Sequence, residues 1–256
     1  MPPSGGLQDQ FHEEEPVRTI GLLGGMSWES SIEYYRIINQ RVHQRLGGYH
    51  SARSVMYSFD FHDIEQLQHT GAWEEAGRQL GDAARRVQAA GAELLVLCTN
   101  TMHRLADEVQ AAVDIPLLHI ADATAQALRG LAIGRVGLLG TRYTMEQEFY
   151  RGRLARHGFQ VLVPEPPALE TVHRIIYDEL VHGVVRPASR ALYLEVVDAL
   201  TGRGAEAVIL GCTEIELLVK DGDAGVPLLE TARIHAETAA DVAVDCVGLP
   251  APPPAR

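Results

Sequence analysis

Two short stretches place a nucleophile among hydroxyl and amide neighbours at the end of an aliphatic run. They are "LLVLCTNTMH", residues 94–103, and "AVILGCTEIELL", residues 207–218. In each, a buried-strand pattern stops abruptly at a polar cluster, and open α/β sheets bind ligands just outside the carboxyl ends of their strands. Cys212 is a thiol that can take and return a proton once ionised. Where the two stretches are superposed, its counterpart is Thr99 rather than Cys98. Neighbouring strand residues point to opposite faces, so Cys98 is expected to face the core. Asn100, Thr101 and Thr213 follow the two key positions, with side chains or backbone N–H groups suited to a carboxylate. His103 could orient the first cluster and Glu214 the second, although a histidine on an early helical turn is commonly a structural hydrogen-bonder.

The elements that must hold these residues are legible through an internal repeat. "GLLGG" at 21 recurs as "GLLGT" at 137, an offset of 116. "VLCTNT" matches "ILGCTE" at an offset of 113, and "IPLLHIADATA" at 115 matches "VPLLETARIHA" at an offset of 111. Three matches in one order imply two copies of a four-stranded α/β unit. Candidate strands are 19–23, 54–59, 94–98 and 117–120, then 135–139, 160–163, 207–210 and 227–229. Amphipathic stretches lie between them; Ala76, Leu80, Ala83, Ala84 and Val87, for example, share one helical face.

Unbroken apolar strands alternating with helices predict parallel sheets covered on both faces. The fold class is α/β: two pseudo-symmetric, open parallel-sheet, flavodoxin-like domains with the active site in the cleft between them. A helix begins near Ala121 and another near Thr231, each able to cross to the other half. The expected domains are 17–121 with 231–248, and 122–230, flanked by tails at 1–16 and 249–256. The first loop of each copy then faces the cleft, with Met26 and Ser27 on one side and Thr141, Arg142 and Thr144 on the other. Threonines at helix starts are often plain N-caps, which is the competing reading of Thr141 and Thr144.

Composition narrows the chemistry. A formal charge of −12 argues against a general nucleic-acid or anionic-membrane binder. No apolar run is long enough to span a bilayer and the N-terminus lacks a secretory pattern, so a cytoplasmic chain is expected. Lys220 is the only lysine and lies near a loop signal, which disfavours Schiff-base chemistry. The three cysteines, Cys98, Cys212 and Cys246, have no CxxC spacing and suggest neither a disulfide framework nor a zinc site. "DFHDIE" gathers Asp60, His62, Asp63 and Glu65, but without a second ligand cluster it reads as a solvated helix start, and no metal is expected. "GLLGG" is G-x-x-G-G, a glycine-permitted tight turn rather than a dinucleotide fingerprint.

The motifs "GLLGGMSWES", "CTNTMH", "GTRYTMEQEFYRGRL" and "GCTEIELL" resemble the aspartate/glutamate racemase family over about residues 18 to 247. The likeness is strongest to the bacterial broad-specificity branch that acts on aspartate and glutamate. It implies a cofactor-independent amino-acid racemase, no bound cofactor, a small amino-acid or dicarboxylate substrate, and a homodimer. In that family two bases, one from each half, flank the α-carbon. Most members carry cysteine where Thr99 stands, so this chain implies a lopsided pair: Cys212 the principal base, Thr99 the weaker group opposite, and L-Asp or L-Glu the better-used enantiomer.

Relatives specific for aspartate hold the distal carboxylate with a lysine in the region of "ALETVHRIIYDEL" and an arginine after the second strand. Here Glu170 or Thr171 occupies the lysine's region, leaving Arg142, His173 and Arg174 as substitutes. Arylmalonate decarboxylase or maleate isomerase chemistry on the same fold is the alternative enzyme reading. A silent dicarboxylate binder is the reading from another class.

Overall fold

The computed structural model describes residues 17–246 and 248–254, so the expected tail at 1–16 lies outside the described residues. The first copy runs β1 (Ile20–Gly24), α1 (Trp28–Leu46), β2 (Ser54–Ser58), α2 (Phe61–Thr70), α3 (Trp73–Ala89), β3 (Leu94–Leu97), α4 (Ala106–Ala111) and β4 (Leu117–Leu118). Then follow α5 (Ile120–Gly130), β5 (Arg135–Gly140), α6 (Arg142–Glu146), α7 (Arg151–Arg156), β6 (Gln160–Leu162) and α8 (Ala168–Asp178). The chain continues through α9 (Pro187–Gly202), β7 (Ala207–Gly211), β8 (Leu228–Glu230) and α10 (Thr231–Asp245).

Two parallel four-stranded sheets result, ordered β2-β1-β3-β4 and β6-β5-β7-β8. The orders are the same when one copy is laid on the other, as the repeat requires. The central strands β1, β3 and β7 are buried at every residue, which explains their continuous aliphatic runs. β4 is shorter than the expected 117–120. His119 accepts a hydrogen bond from the Ala121 N–H through Nδ1, capping α5 and ending the strand.

The two helices after the last strands cross between the halves. α5 buries Ile120, Ala121, Ala125 and Leu128 with Val136, Leu138, Ala207 and Ile209 of the second sheet. α10 returns to the first: Ala232, Ala236, Ala239, Ala240 and Ala243 pack in one core with Tyr34, Ile37, Ile38 and Val42 of α1. Their spacing of four, three, one and three residues forms a single small-residue face, over which α1 can lie closely. Arg41 latches the seam at its rim with a bidentate pair to Asp241 at 2.8 and 2.9 Å. Beyond α10, Leu249, expected within a tail, packs against the same core.

The turn after β1 brings the first half's loop to the cleft. Gly25 has φ +83°, and a Cβ there would lie 2.2 Å from the Phe59 carbonyl oxygen. Close approach of the β1 and β2 ends therefore requires glycine at this point.

Candidate active site

The ends of β1, β3, β5 and β7 converge on a cavity of about 40 Å³. Thr99, Asn100 and Thr101 enter it from the end of β3, Cys212, Thr213 and Glu214 from the end of β7, and Met26 and Thr141 from the two first loops. A larger hollow of about 820 Å³ lies beside β8 and α10, but Glu230 and Arg233 are already paired there and it holds no nucleophile. The smaller cavity is where a thiol and a carboxylate meet.

Cys212 donates from Sγ to Glu214 Oε2 at 2.9 Å. Burial, reinforced by the Glu214 carboxylate, holds its pKa well above that of a free thiol. The resting group is a neutral thiol with an acceptor already in place. Glu214 takes further donors from both halves: Ser27 Oγ at 2.6 Å and Ser30 Oγ at 3.1 Å onto Oε1, and Thr213 Oγ1 at 2.9 Å onto Oε2. Ser30 Oγ and Thr213 Oγ1 also meet directly across the cleft. Ser27 thus serves as N-cap of α1 and as a strut to the opposite half. Ser30, absent from the sequence expectation, shares this second role.

The first wall is built differently. Thr231 Oγ1 donates to the Leu210 carbonyl at 2.7 Å, so it can only accept from Asn100 Nδ2, 3.1 Å away. This orients the Asn100 amide and leaves Oδ1 a buried acceptor without a partner among the described residues. Thr101 and Thr141 hydroxyls meet at 3.2 Å, and Thr141 in turn meets Thr144 at the same distance. Thr144 is fully buried and does not line the cavity; it supports Thr141 from behind.

His103 also stands one layer back. Its Nδ1–H donates to the Thr99 carbonyl at 2.7 Å and its Nε2 accepts from the Ile120 N–H at 3.1 Å, a pattern that needs one neutral tautomer. His119 and His235 pack their rings against it at 4.7 and 5.5 Å. His235 donates from Nε2 to the Leu118 carbonyl and accepts the Tyr34 hydroxyl at Nδ1. Burial lowers its pKa to about 4. The unfolded chain takes up this proton near pH 6.5, before the folded one does, so stability is lost as pH falls from about 6.5 to 4, by roughly 3 kcal/mol from this group. Chemical denaturation across that range should show the loss, and His235→Gln should remove this group's share of it while His103 and His119, whose pKa values burial also lowers, keep theirs.

Arg142 does not enter the cavity. Its guanidinium pairs with Glu170 and is 44% exposed, while its backbone N–H bonds His173 Nδ1. Cys98 is fully buried among aliphatic residues, and burial alone pushes its thiol far above the ordinary range. Asp60 caps α2, and His62 bonds Gln66 on its exposed face. Among the described residues no group of three potential ligands could hold a metal ion, and no helix is long and apolar enough to cross a membrane. Six lining residues were not among the candidates named from the sequence: Phe61 and Gln68 from α2, Ile176 and Tyr177 from α8, Val181 from the turn after α8, and Gly211 at the end of β7.

Two matched parallel sheets, with Thr99 and Cys212 at the same strand end of each lining one cavity, define an α/β protein of two similar halves. The chain belongs to the Asp/Glu/hydantoin racemase family, whose sequence profile matches residues 23–239. A Yersinia pestis protein of known structure, provisionally assigned as an Asp/Glu racemase, is 54% identical, with 89% of this chain and 99% of that chain covered and a TM-score of 0.84. An aspartate racemase homologue from Pyrococcus horikoshii is 33% identical, with 88% and 99% covered and a TM-score of 0.78. The broad specificity amino-acid racemase RacX of Bacillus subtilis is 21% identical over 86% of this chain and 95% of that protein.

Proposed function

We propose that the protein is a cofactor-independent amino-acid racemase in which Cys212 is the principal base and Thr99 stands on the opposite face of the α-carbon. The observation that carries this reading is the pair itself: two repeat-equivalent strand ends lining one cavity, one bearing a thiol whose proton already points at a carboxylate. Aspartate and glutamate, named for several relatives, are the first substrates to test.

The roles follow from donors and acceptors. The α-carboxylate takes the Thr101 hydroxyl and the backbone N–H groups of Thr101 and Thr213, and the α-ammonium donates to the free Asn100 Oδ1. Cys212 passes its proton to Glu214 Oε2 and, as thiolate, takes the α-proton. The C–H electron pair spreads into the carboxylate as an enediolate, which the surrounding donors stabilise. A proton from the Thr99 side, through its hydroxyl or a water held there, then adds to the opposite face. The cycle closes when the Glu214 proton returns through water to that side. An amino acid needs more room than about 40 Å³, so the halves must part to admit it. The contacts that yield first are the long ones, from the Tyr143 and Tyr177 hydroxyls to Gln68 at 3.5 Å.

A threonine hydroxyl is a far weaker base than a thiolate. Reaction beginning on its side is therefore slow in the first step, although the equilibrium between free enantiomers stays at unity. Thr99→Cys should accelerate exchange from the poorer enantiomer by about 10²-fold or more, the usual contribution of a positioned base. Proton NMR in D₂O, following the α-proton of L- and D-Asp and L- and D-Glu separately, tests both statements. No exchange from any amino acid with folded protein would refute the racemase reading.

A further inference from the structure

The cavity end lined by Gln68 and Tyr177, from α2 and α8, bears on the substrate side chain, a point that rests on the racemase reading for its catalytic consequence. We infer that this end selects an uncharged polar side chain, an amide or a hydroxyl, over a carboxylate.

The ionisable groups lining the cavity are Cys212, Tyr177 and Glu214, and no lining residue is cationic. None of the candidate cations lines the cavity, and Arg174 is exposed on α8. Arg142 is held by Glu170, and Arg104 bonds Gln147 while stacking 4.1 Å over the Trp73 ring. His173, against the Tyr177 ring, already accepts the Arg142 N–H at Nδ1, and its partial burial disfavours the charged form. A second substrate carboxylate would be desolvated near Glu214 with no counter-ion, an arrangement that low-dielectric surroundings penalise steeply.

What the cavity does offer is Gln68, 6% exposed and poorly satisfied. Its Nε2 donates to the Met102 thioether at 3.0 Å, and its Oε1 accepts from the Tyr177 hydroxyl at 3.5 Å, the outer limit of a hydrogen bond. A thioether is a weak acceptor, so a ligand that gives this amide better partners gains what the empty site lacks. Gln68 and Tyr177 each donate and accept. That pairing matches a primary amide or hydroxyl, which also does both, whereas a carboxylate only accepts. Met26, Phe61, Ile176 and Val181 supply the apolar wall around the side-chain carbons.

Isosteric pairs isolate the charge: L-Asn against L-Asp, and L-Gln against L-Glu. Binding is measured by calorimetry to the Cys212→Ser protein, which cannot turn the ligand over, and α-proton exchange is measured in D₂O with the unsubstituted enzyme. The expected result is at least tenfold tighter binding of each amide than of its acid, with the same ranking in exchange. Tighter binding or faster exchange of the acids, equal values within a pair, or no binding of any of the four overturns the inference. Exchange absent from every amino acid, with the amides still bound more tightly, sinks the racemase reading and leaves the side-chain preference standing.

Discussion

Cys212→Ser should lower α-proton exchange by roughly 10³-fold or more while leaving the protein folded, because a positioned acid/base contributes about 10²–10⁴ and a serine hydroxyl ionises far less readily than a thiol. The substitution is nearly isosteric. Serine can make the same hydrogen bond to Glu214 that the thiol makes at 2.9 Å, so thermal unfolding should shift little. Cys98→Ser is the informative contrast. That residue is fully buried among aliphatic neighbours and does not line the cavity, so a hydroxyl there should cost about 1–3 kcal/mol of stability. Its exchange rate per folded molecule should match the unsubstituted enzyme. If instead Cys98→Ser silenced exchange in a folded protein and Cys212→Ser did not, the superposition of Thr99 on Cys212 would be the wrong register.

That register was legible because the repeat is covalent information: two copies of one strand order must end their third strands at equivalent places. Strand positions followed from unbroken aliphatic runs, with ends displaced by a residue or two where a cap intervened, as at His119. Gln68, Ile176 and Tyr177 were not legible. They reach the cleft from helices whose faces are chosen by how the halves pack, and nothing in the local spacing marks them. Ser30 lies in the "SWES" stretch that drew notice for its helix start, yet its partner is 184 residues away. Arg142 illustrates the reverse difficulty. Its place in a cleft-facing loop was readable, but the direction of a long flexible side chain was decided by Glu170, on a helix 28 residues downstream.

Glu214→Gln should be the second large effect, and its value lies in moving two readouts in opposite directions. Glu214 accepts from Cys212, Thr213, Ser27 and Ser30, which uses both carboxylate oxygens from both halves. A glutamine keeps one acceptor and turns the other into a donor, so one pair of partners meets an N–H where it needs a lone pair. Leaving such a buried group unsatisfied costs about 1–3 kcal/mol, which thermal unfolding should register. Exchange near neutral pH should fall by about 10²–10⁴, since the thiol proton has lost its acceptor. The thiol itself should respond the other way. Burial is the first cause that holds the Cys212 pKa up, and the Glu214 charge is the next, so removing that charge lets thiolate form at lower pH. Thiolate absorbance near 240 nm, taken as the difference between Glu214→Gln and the Glu214→Gln/Cys212→Ser double variant, reads this directly. A lower thiol pKa with slower exchange identifies Glu214 as the group that takes the proton. A lower pKa with faster exchange would mean that its charge only restrains the thiol and that Cys212 loses its proton to water.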